Sequence, residues 1–265
     1  MRPAPSDALD AATIATALGG RAREIDVEVL EACRSTNSVL LESPAADRPY
    51  LLAADYQSAG RGRHGRRWHA ARGAGICFSL RRRMRRAPRE LPGASLAAGV
   101  AVARALRAAG APGIALKWPN DLLAAGGAKL GGILIETRIQ GGSVLAVVGI
   151  GVNYRSQRDA RVRRRTAALD QLLDPLPSRN VLIAAIAREL LDVLESFDAS
   201  GLASLRGEWE ALHAHAGHRI RMRLADGSVV AGIDAGVDAD GAMRLRTRDG
   251  VRALHSARVV SARPA

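Results

Sequence analysis

A loop near the start of the chain alternates glycine with arginine. Residues 57–68 read Gln-Ser-Ala-Gly-Arg-Gly-Arg-His-Gly-Arg-Arg-Trp, and the arginines are Arg61, Arg63, Arg66 and Arg67. Glycine lets the backbone move and approach a ligand closely, and arginine binds phosphate through paired hydrogen bonds. The spacing therefore predicts a mobile loop that closes over an anion. The alternative is a solvated basic loop, but glycines at this spacing contribute nothing to packing.

Two common phosphate-binding motifs do not account for this loop. Gly60, Gly62 and Gly65 match the G-x-G-x-x-G pattern of dinucleotide-binding folds, which requires a following apolar helix and an acidic residue about 20 positions later. Here two arginines and a tryptophan follow, and the next acidic residue is Glu90. The G-x-x-x-x-G-K-S/T pattern of P-loop proteins does not occur in the sequence. If ATP is used, the arginine loop is the best candidate for holding its phosphates.

The chain has only two lysines, and each begins a polar motif. The other 37 of the 39 basic residues are arginines. An ammonium is a compact charge and a guanidinium a planar fork, so the retained lysines mark candidate positions that the fork does not fit. Lys117 begins Lys-Trp-Pro-Asn-Asp, where Pro119 ends a strand and groups a cation, an amide and a carboxylate. Lys129 begins Lys-Leu-Gly-Gly-Ile, whose glycines leave room for a ligand or another backbone. Alone, each also fits an ordinary turn or strand.

Two further segments place polar groups at the ends of elements. Residues 35–37 (Ser-Thr-Asn) are typical of a helix N-cap, and at a pocket mouth the same groups also donate hydrogen bonds to a ligand. Residues 149–153 (Gly-Ile-Gly-Val-Asn) form a glycine-rich strand end with an amide at its edge. His213, His215 and His218 are spaced so that they face different ways on a helix, which predicts surface histidines and no metal site.

The net charge of +13 admits nucleic acid, acidic lipid or an anionic substrate as a partner. The bias toward arginine, alanine and glycine is the simpler explanation, since arginine replaces lysine wherever any cation serves. The runs at residues 81–86 and 161–165 lack glycine spacing and are interpreted as solvated basic loops. A nucleic-acid-binding surface also requires aromatics among its cations, and the sequence has only 3 Trp, 3 Tyr and 2 Phe.

The elements that position these motifs are of mixed α/β type. Ser95 is the expected N-cap of a helix that ends near residue 109, and Asn180 of an apolar-striped helix that ends near residue 198. A third helix is expected at residues 202–214. Gly141-Gly142 is the expected hairpin turn between the last two strands. Apolar and β-branched runs predict strands at residues 24–30, 50–55, 75–80, 114–118, 131–138 and 144–152.

The domain organisation is inferred from a change in the sequence pattern after Gly217. Beyond it, Asp226-Gly227, Asp240-Gly241 and Asp249-Gly250 are expected hairpin turns of a small antiparallel β unit at residues 217–265. Residues 24–216 form the larger domain. Residues 1–23 are expected to be a loose leader with one short helix, too short for a DNA-binding helix-turn-helix module.

The compartment is expected to be the cytoplasm. Cys33 and Cys77 lie far apart, which argues against a disulfide scaffold and a cysteine-based zinc site. The N-terminus lacks the features of a signal peptide. The longest uncharged stretch, residues 91–103, is shorter than the roughly 20 apolar residues that span a membrane.

Together, and in this order, these segments resemble the biotin protein ligase family. The similarity runs from about residue 24 to the C-terminus, and the combination of the arginine loop with Lys-Trp-Pro-Asn-Asp is specific. The resemblance implies an α/β domain with a mixed sheet, related to class II tRNA synthetases, followed by a small SH3-like β-barrel. It also implies an enzyme that uses ATP and Mg²⁺ to convert biotin to biotinyl-5'-AMP. The biotinyl group then passes to a lysine of the biotin carboxyl carrier protein of acetyl-CoA carboxylase and related carboxylases.

The resemblance also implies the roles of individual residues. Arg63 and Lys129 would be catalytic, with Lys129 near the biotin carboxylate and the α-phosphate, and no protein side chain is expected as a metal ligand. The biotin and adenylate pocket would comprise Ser35, Thr36, Asn37, Gln57, Arg61, Gly62, Arg63 and Lys129. The residues expected near the nucleotide are Arg66, Trp68, Asn120 and Asn153.

The sequence departs from the family pattern at two places, and alternatives remain. Arg34 stands where an acidic residue usually precedes Ser-Thr-Asn, and Ala257-Arg258 stands where a Gly-Glu pair is common. Some family members carry an N-terminal DNA-binding domain and repress transcription; we expect ligase activity without specific DNA binding. The alternatives are a lipoate–protein ligase of the same fold and a basic nucleic-acid-binding module. The expected oligomeric state is a monomer or a homodimer.

Overall fold

A computed structural model describes residues 7–44, 47–140, 143–157 and 165–264. The strands of the larger domain are β1 (Asp26–Cys33), β2 (Tyr50–Gln57), β3 (Gly75–Met84), β4 (Ala115–Lys117), β5 (Asp121–Leu123), β6 (Lys129–Gln140) and β7 (Ser143–Asn153). They form one mixed sheet in the order β1-β2-β3-β7-β6-β5-β4. β1 and β2 run parallel, and the other neighbours run antiparallel.

Helices cover both faces of this sheet. The α-helices of the described chain are α1 (Ala11–Leu18), α2 (Thr36–Glu42), α3 (Ala94–Ala108), α4 (Arg179–Ser200) and α5 (Ala203–Leu212). α3 and α4 pack together over one face, where the alanines of α3 allow close approach. α2 covers part of the other face, where Leu40 packs against Leu52 and Val147. None of the described helices is long and apolar enough to cross a membrane.

The predicted strands are confirmed, although their bounds shift by a few residues. Each predicted strand overlaps an observed one, and the sheet gains the short strand β5 after the turn at Pro119. β6 and β7 pair as far as Gln140 and Ser143, as expected for a hairpin. Gly141-Gly142 itself lies outside the described residues.

Both predicted helix caps are wrong, because a neighbouring residue takes each position. Gly93 is the N-cap of α3, and the Ser95 hydroxyl donates to the Pro119 carbonyl at 3.1 Å. Ser178 caps α4, and its side chain accepts from the Val181 amide. The Asn180 side chain instead binds the backbone of residues 8 and 10, which lie before and at the N-cap of α1.

The start of the described chain is not a loose leader, which corrects the prediction from the sequence. Ile14 and Leu18 of α1 are fully buried in the main hydrophobic core. The Arg179 guanidinium at the start of α4 is 3% exposed and forms ion pairs with Asp7 and Asp55. The first helix is therefore fastened to the larger domain by both apolar and ionic contacts.

The basic run at residues 81–86 is also not a solvated loop. Its first residues belong to β3, and Arg81 is 3% exposed, with its guanidinium bound to the Pro44 carbonyl at 2.8 Å. The Arg86 guanidinium donates to the Phe197 carbonyl at 2.7 Å. These arginines are structural. Most of the second run, residues 161–164, lies outside the described residues.

The C-terminal unit is a five-stranded antiparallel sheet, and its predicted Asp-Gly turns are confirmed. Its strands are β8 (Arg219–Arg223), β9 (Val229–Val237), β10 (Met243–Thr247), β11 (Gly250–Leu254) and β12 (Arg258–Arg263). Their order is β11-β10-β9-β8-β12. Ile220, Met222 and Leu245 on its inner face join the main core. In the described residues no pairing joins β11 to β12, so the sheet is open and closure into a barrel is not observed.

Two buried contacts fasten this unit to the larger domain beside β4. The Trp118 Nε1–H donates to the Gly241 carbonyl at 3.0 Å. The His213 ring lies between the Leu116 carbonyl, 3.1 Å from Nδ1, and Asp234 Oδ2, 2.6 Å from Nε2. The prediction that all three clustered histidines lie on the surface is thus wrong for His213, whose side chain is 1% exposed.

Candidate active site

A cavity of about 360 Å³ opens between the sheet, the arginine loop and β12. It brings together segments that lie far apart along the chain. Every predicted site residue lines it except Asn153. The residues that it collects are Ser35, Thr36, Asn37, Gln57, Arg61, Gly62, Arg63, Arg66, Trp68, Asn120 and Lys129.

The floor of the cavity is the start of α2. Ser35, Thr36 and Asn37 are each 3% exposed. Ser35 occupies the N-cap position as predicted, but its side chain makes no cap bond. Instead, Gln57 Oε1 accepts from the Thr36 amide at 2.8 Å and so fixes the β2 end against the helix. The Gln57 side chain, and not that of Ser35, therefore caps the first backbone amide of α2.

Ser79, which the sequence analysis did not identify, completes the floor. It lies on β3 with 0% exposure, and its Oγ is 2.7 Å from Thr36 Oγ1 and 2.6 Å from Asn37 Oδ1. A hydroxyl has one proton to donate. Because Asn37 Oδ1 only accepts, Ser79 donates there and accepts from Thr36. The one available signal was a lone serine in the apolar run Ile-Cys-Phe-Ser-Leu.

Two glycines of β7 make room for the site side chains. A Cβ on Gly149 would overlap with the Asn37 amide, and one on Gly151 would lie 2.7 Å from the Trp68 ring. A side chain at either position would displace its neighbour. The glycine-rich strand end that the sequence presents is therefore a packing requirement of the cavity.

The arginine loop is folded back over the cavity as a small hairpin. The Gly62 amide donates to the Arg66 carbonyl at 2.8 Å, and the Trp68 amide donates to the Gly60 carbonyl at 2.9 Å. Between them, His64 has a left-handed φ of 55°, a conformation that is uncommon outside glycine. The turn of the loop is thus held by backbone bonds, while its arginine side chains project around the cavity.

An acidic side chain links the loop to the floor. Glu136 on β6 pairs with Arg61 through one carboxylate oxygen, and its other oxygen accepts from Asn37 Nδ2 at 2.9 Å. Glu136 follows the motif that begins at Lys129 and was not predicted from the sequence as a site residue. Its partners are 75 and 99 residues away along the chain, so only the fold reveals this contact.

A cluster of opposite charges forms the second part of the cavity. The Lys129 ammonium pairs with the Asp121 carboxylate, and their side chains are 12% and 19% exposed. Burial lowers the pKa of the Arg63 guanidinium, and the negative charge of Asp121 opposes this shift. A guanidinium nevertheless stays charged in a protein. Two cations around one carboxylate leave a net positive charge that suits an anionic ligand.

The two predicted asparagines near the nucleotide have structural bonds. Asn120 lines the cavity, and its Nδ2 donates to the Ile133 carbonyl at 2.7 Å. Asn153 Nδ2 donates to the carbonyls of Lys129, at 3.3 Å, and Ala167, at 2.8 Å. Asn153 therefore fixes the backbone that carries Lys129 and does not itself line the cavity.

The last strand contributes to the cavity wall despite its departure from the family pattern. Ala257 and Arg258 line the cavity together with Val259 and Val260. The C-terminal unit thus takes part in the site. Among the described residues, no group of three or more His, Cys, Asp or Glu side chains is placed to hold a metal ion by itself.

Comparison with known proteins gives relatives along most of the chain. Residues 29–153 match the biotin/lipoate A/B protein ligase family. The bifunctional ligase/repressor BirA of Escherichia coli K12 is 35% identical over 256 residues, which is 94% of this chain and 76% of that protein. The biotin–[acetyl-CoA-carboxylase] ligase of Mycobacterium tuberculosis is 35% identical over 231 residues, 83% of this chain and 82% of that protein.

Solved structures show the same fold. The biotin protein ligase of Aquifex aeolicus, solved in complex with biotin and ATP, has a TM-score of 0.76 at 24% identity over 91% of this chain and 99% of that one. The biotin acetyl coenzyme A carboxylase synthetase of Helicobacter pylori, with bound biotinylated ATP, has a TM-score of 0.62 at 24% identity, over 86% and 99% of the two chains.

Proposed function

Because this chain belongs to the biotin protein ligases of the biotin/lipoate A/B protein ligase family, we propose that its cavity joins biotin to ATP as biotinyl-5'-AMP. The biotinyl group then passes to a lysine of a biotin carboxyl carrier protein. The observation that supports this most directly is the union, in one cavity, of a neutral hydrogen-bonding floor with a cationic cluster. Such a cavity matches a ligand with a neutral ring at one end and a carboxylate at the other.

The floor is the proposed site for the ring of biotin. The cyclic urea of biotin both donates and accepts hydrogen bonds, and the hydroxyls and amides of Ser35, Thr36, Asn37 and Gln57 offer both. Burial excludes water from Ser35, Thr36 and Asn37, so an unmatched ligand would leave their polar groups unsatisfied. This is the physical basis for selecting the ring.

The cationic cluster is proposed to bring two anions together. A carboxylate oxygen must attack the α-phosphorus of ATP, breaking the bond to the pyrophosphate that leaves. Two unit charges about 3 Å apart repel by about 5 kcal/mol at an effective dielectric near 20, which corresponds to nearly four decades in rate. Lys129 and Arg63, held in place before the reaction, would offset much of this repulsion.

The loop is proposed to protect the intermediate. An acyl adenylate hydrolyses if water reaches it, and a closed loop excludes water until the acceptor amine arrives. Arg61, Gly62 and Arg63 belong to this loop. Arg66, Trp68 and Asn120 line the same cavity, and we propose that they contact the nucleotide.

Mg²⁺ is expected to enter with ATP. Mg²⁺ is commonly held by one or two protein carboxylates together with substrate phosphates and water, and Asp121 is the carboxylate in the cavity wall, next to the Asn120 amide. Because the Asp121 carboxylate is already paired with the Lys129 ammonium, the phosphates and water would supply most of the ligands of the ion. When bound, it would neutralise phosphate charge and orient the leaving pyrophosphate.

The family assignment favours this function over the two alternatives. The Mycobacterium tuberculosis relative and the two solved structures are named for biotin, which favours biotin over lipoate. The family is one of ligases, which argues against a module that only binds nucleic acid. The two cysteines are free thiols in the structure, as is usual in reducing compartments, and we place the reaction in the cytoplasm.

A mass measurement tests the proposed function. Purified protein is incubated with biotin, Mg-ATP and a biotin carboxyl carrier domain, and the carrier is expected to gain one biotinyl group only when all components are present. Competition between biotin and lipoate in ATP–pyrophosphate exchange identifies the acid. Exchange driven by lipoate alone would contradict the proposal.

A further inference from the structure

One face of the C-terminal sheet carries a concentration of arginines, which we call the arginine face. All of them are exposed, and they lie on β8, β10 and β12. The alternation of exposed and buried residues along β8 and β10 places these side chains on the face away from the core. The arginine face consists of Arg219, Arg221, Arg223, Arg244, Arg246, Arg258 and Arg263.

The strand register sets like charges directly opposite one another. Arg223 is paired with Arg258, and Arg219 with Arg263. Directly opposed like charges destabilise an antiparallel pair. No Asp or Glu occupies a paired position on this face. Within the described part of the chain, none of the face's arginines forms an ion pair.

A compositional preference for arginine does not explain this arrangement. It accounts for arginine in place of lysine, but it does not exclude carboxylates from one face. Some half-exposed arginines of the larger domain have acidic partners, as Arg48 has in Asp26 and Arg104 in Glu189, whereas others, such as Arg107 and Arg188, are exposed single charges on helices. The arginine face differs because its cations are paired with one another across neighbouring strands and no carboxylate lies between them, which points to an anionic partner.

The face is continuous with the mouth of the cavity. Arg258 belongs to both, and Val260, two residues further along β12, is 45% exposed and also lines the cavity. Val229 and Val251, on neighbouring strands, are 38% and 52% exposed. Arginine mixed with exposed apolar side chains is typical of a surface that binds protein. A partner seated here would lie beside the point where the acceptor lysine must enter.

We propose that the arginine face docks an acidic surface of the carrier protein whose lysine receives biotin. This inference rests on the proposed function. A nucleic acid is the other polyanion to consider, but binding of unpaired bases relies on aromatic side chains, and residues 217–265 contain no Phe, Trp or Tyr. A duplex would contact this face through its phosphates alone, whereas an acidic protein surface would also cover the exposed Val229 and Val251, so the acidic protein is the occupant that the surface favours.

The test separates docking from chemistry. The variant Arg219→Gln/Arg221→Gln/Arg223→Gln removes three charges from the face without touching the cavity lining. The matched control, Arg107→Gln/Arg188→Gln/Arg206→Gln, removes three exposed charges from helices α3, α4 and α5. Both are assayed at low ionic strength with an acetyl-CoA carboxylase carrier domain, with hydroxylamine as a small acceptor, and by ATP–pyrophosphate exchange.

For the face variant we expect the KM for the carrier to rise about tenfold, because complementary charge mainly sets the rate of encounter. Its kcat, its pyrophosphate exchange and its hydroxylamine reaction should match the control. Added salt should raise the wild-type KM for the carrier, since salt screens exposed charges. The difference in carrier KM between the wild type and the face variant should therefore become smaller. A variant with lysine at the same three positions should keep the low KM.

Two outcomes would overturn the docking proposal. The first is a carrier KM equal to that of the control, and a simultaneous loss of binding to duplex DNA would then assign the face to nucleic acid. The second is an equal loss with hydroxylamine, which would show damage to the cavity. Absence of biotin-dependent exchange in the wild-type protein would instead reject the proposed function itself.

Discussion

Glu136 accepts a hydrogen bond from Asn37 on the cavity floor, at 2.9 Å, while its second oxygen pairs with Arg61 of the loop. One carboxylate therefore joins the proposed ring-binding groups to the segment that is proposed to retain the intermediate. A ligand that reorients Asn37 also alters the contact that holds Arg61.

The first prediction concerns Glu136→Gln, which keeps an acceptor for Asn37 but removes the charge that holds Arg61. The Glu136 and Arg61 side chains are 28% and 41% exposed, and such partly exposed ion pairs stabilise a structure by about 0.5–1 kcal/mol. Escape of biotinyl-AMP should therefore rise roughly two- to fivefold, measured by chasing labelled adenylate with unlabelled biotin. Glu31→Gln, which breaks the surface pair with Arg72, is the control. If Glu136→Gln retains biotinyl-AMP as well as the wild type does, Glu136 has no role in loop closure.

The second prediction concerns Arg63→Gly. The loop loses a cation and gains backbone freedom, so adenylate should still form but should leak and modify amines in solution. Arg63→Ala separates the two effects, because it removes the charge with less added freedom, and Arg89→Ala on an exposed turn is the control. Released adenylate is measured as biotinylation of a bystander protein. If Arg63→Gly retains the intermediate as the wild type does, the proposed role of the loop is wrong.

The third prediction concerns the space that Gly149 provides. Gly149→Ala would push its Cβ into the Asn37 amide, and such overpacking costs about 1–3 kcal/mol. We expect a lower unfolding free energy and a raised KM for biotin with little change in the KM for ATP. Gly207→Ala in α5, where no atom lies within 4 Å of the added Cβ, should instead be neutral or stabilising by up to about 1 kcal/mol. An unchanged KM for biotin in Gly149→Ala would mean that Asn37 does not contact the ring.

The fourth prediction concerns pH. Burial, followed by the positive charges of His213, Lys117 and His218, lowers the pKa of His215 from 6.5 to about 4, and Asp234 opposes this. At a pH between these two values, His215 is protonated in the unfolded chain but neutral in the folded chain. The free energy of unfolding is therefore unaffected by His215 above pH 6.5, where the ring is neutral in both states. It decreases as the pH falls from 6.5 toward 4. Because the ring is only partly buried, the loss is roughly 1–2 kcal/mol.

Urea unfolding at pH 7 and pH 5 measures this effect. His215→Gln should reduce the difference in unfolding free energy between pH 7 and pH 5. His255→Gln, at an exposed position, should show the same difference as the wild type. Equal pH dependence in the wild type and His215→Gln would refute the assignment.

The local motifs could be predicted from the sequence, because glycine, proline and charge act over a few residues. The arginine loop, the Asp-Gly turns and the strands adjoining Lys117 and Lys129 belong to this class. Ser79 and His213 do not, since their partners lie 42 and 97 residues away, and burial of a polar side chain depends on the whole fold. The cap at Asn180 was misassigned because Ser178, two positions earlier, is an equally suitable cap.

The fifth prediction concerns the buried His213–Asp234 pair, which fastens the C-terminal sheet beside β4. Both side chains are at most 1% exposed, so removing one partner leaves a buried polar atom of the other without a hydrogen bond. His213→Ala and Asp234→Ala should each cost about 3–5 kcal/mol, while the double variant should cost clearly less than the sum. His218→Asn, on the half-buried neighbour, should change stability by less than about 0.5 kcal/mol. Urea unfolding of the four proteins completes the cycle. Strictly additive losses would show that the two side chains stabilise the interface independently, and the docking of the sheet would then rest on Trp118 and the apolar contacts.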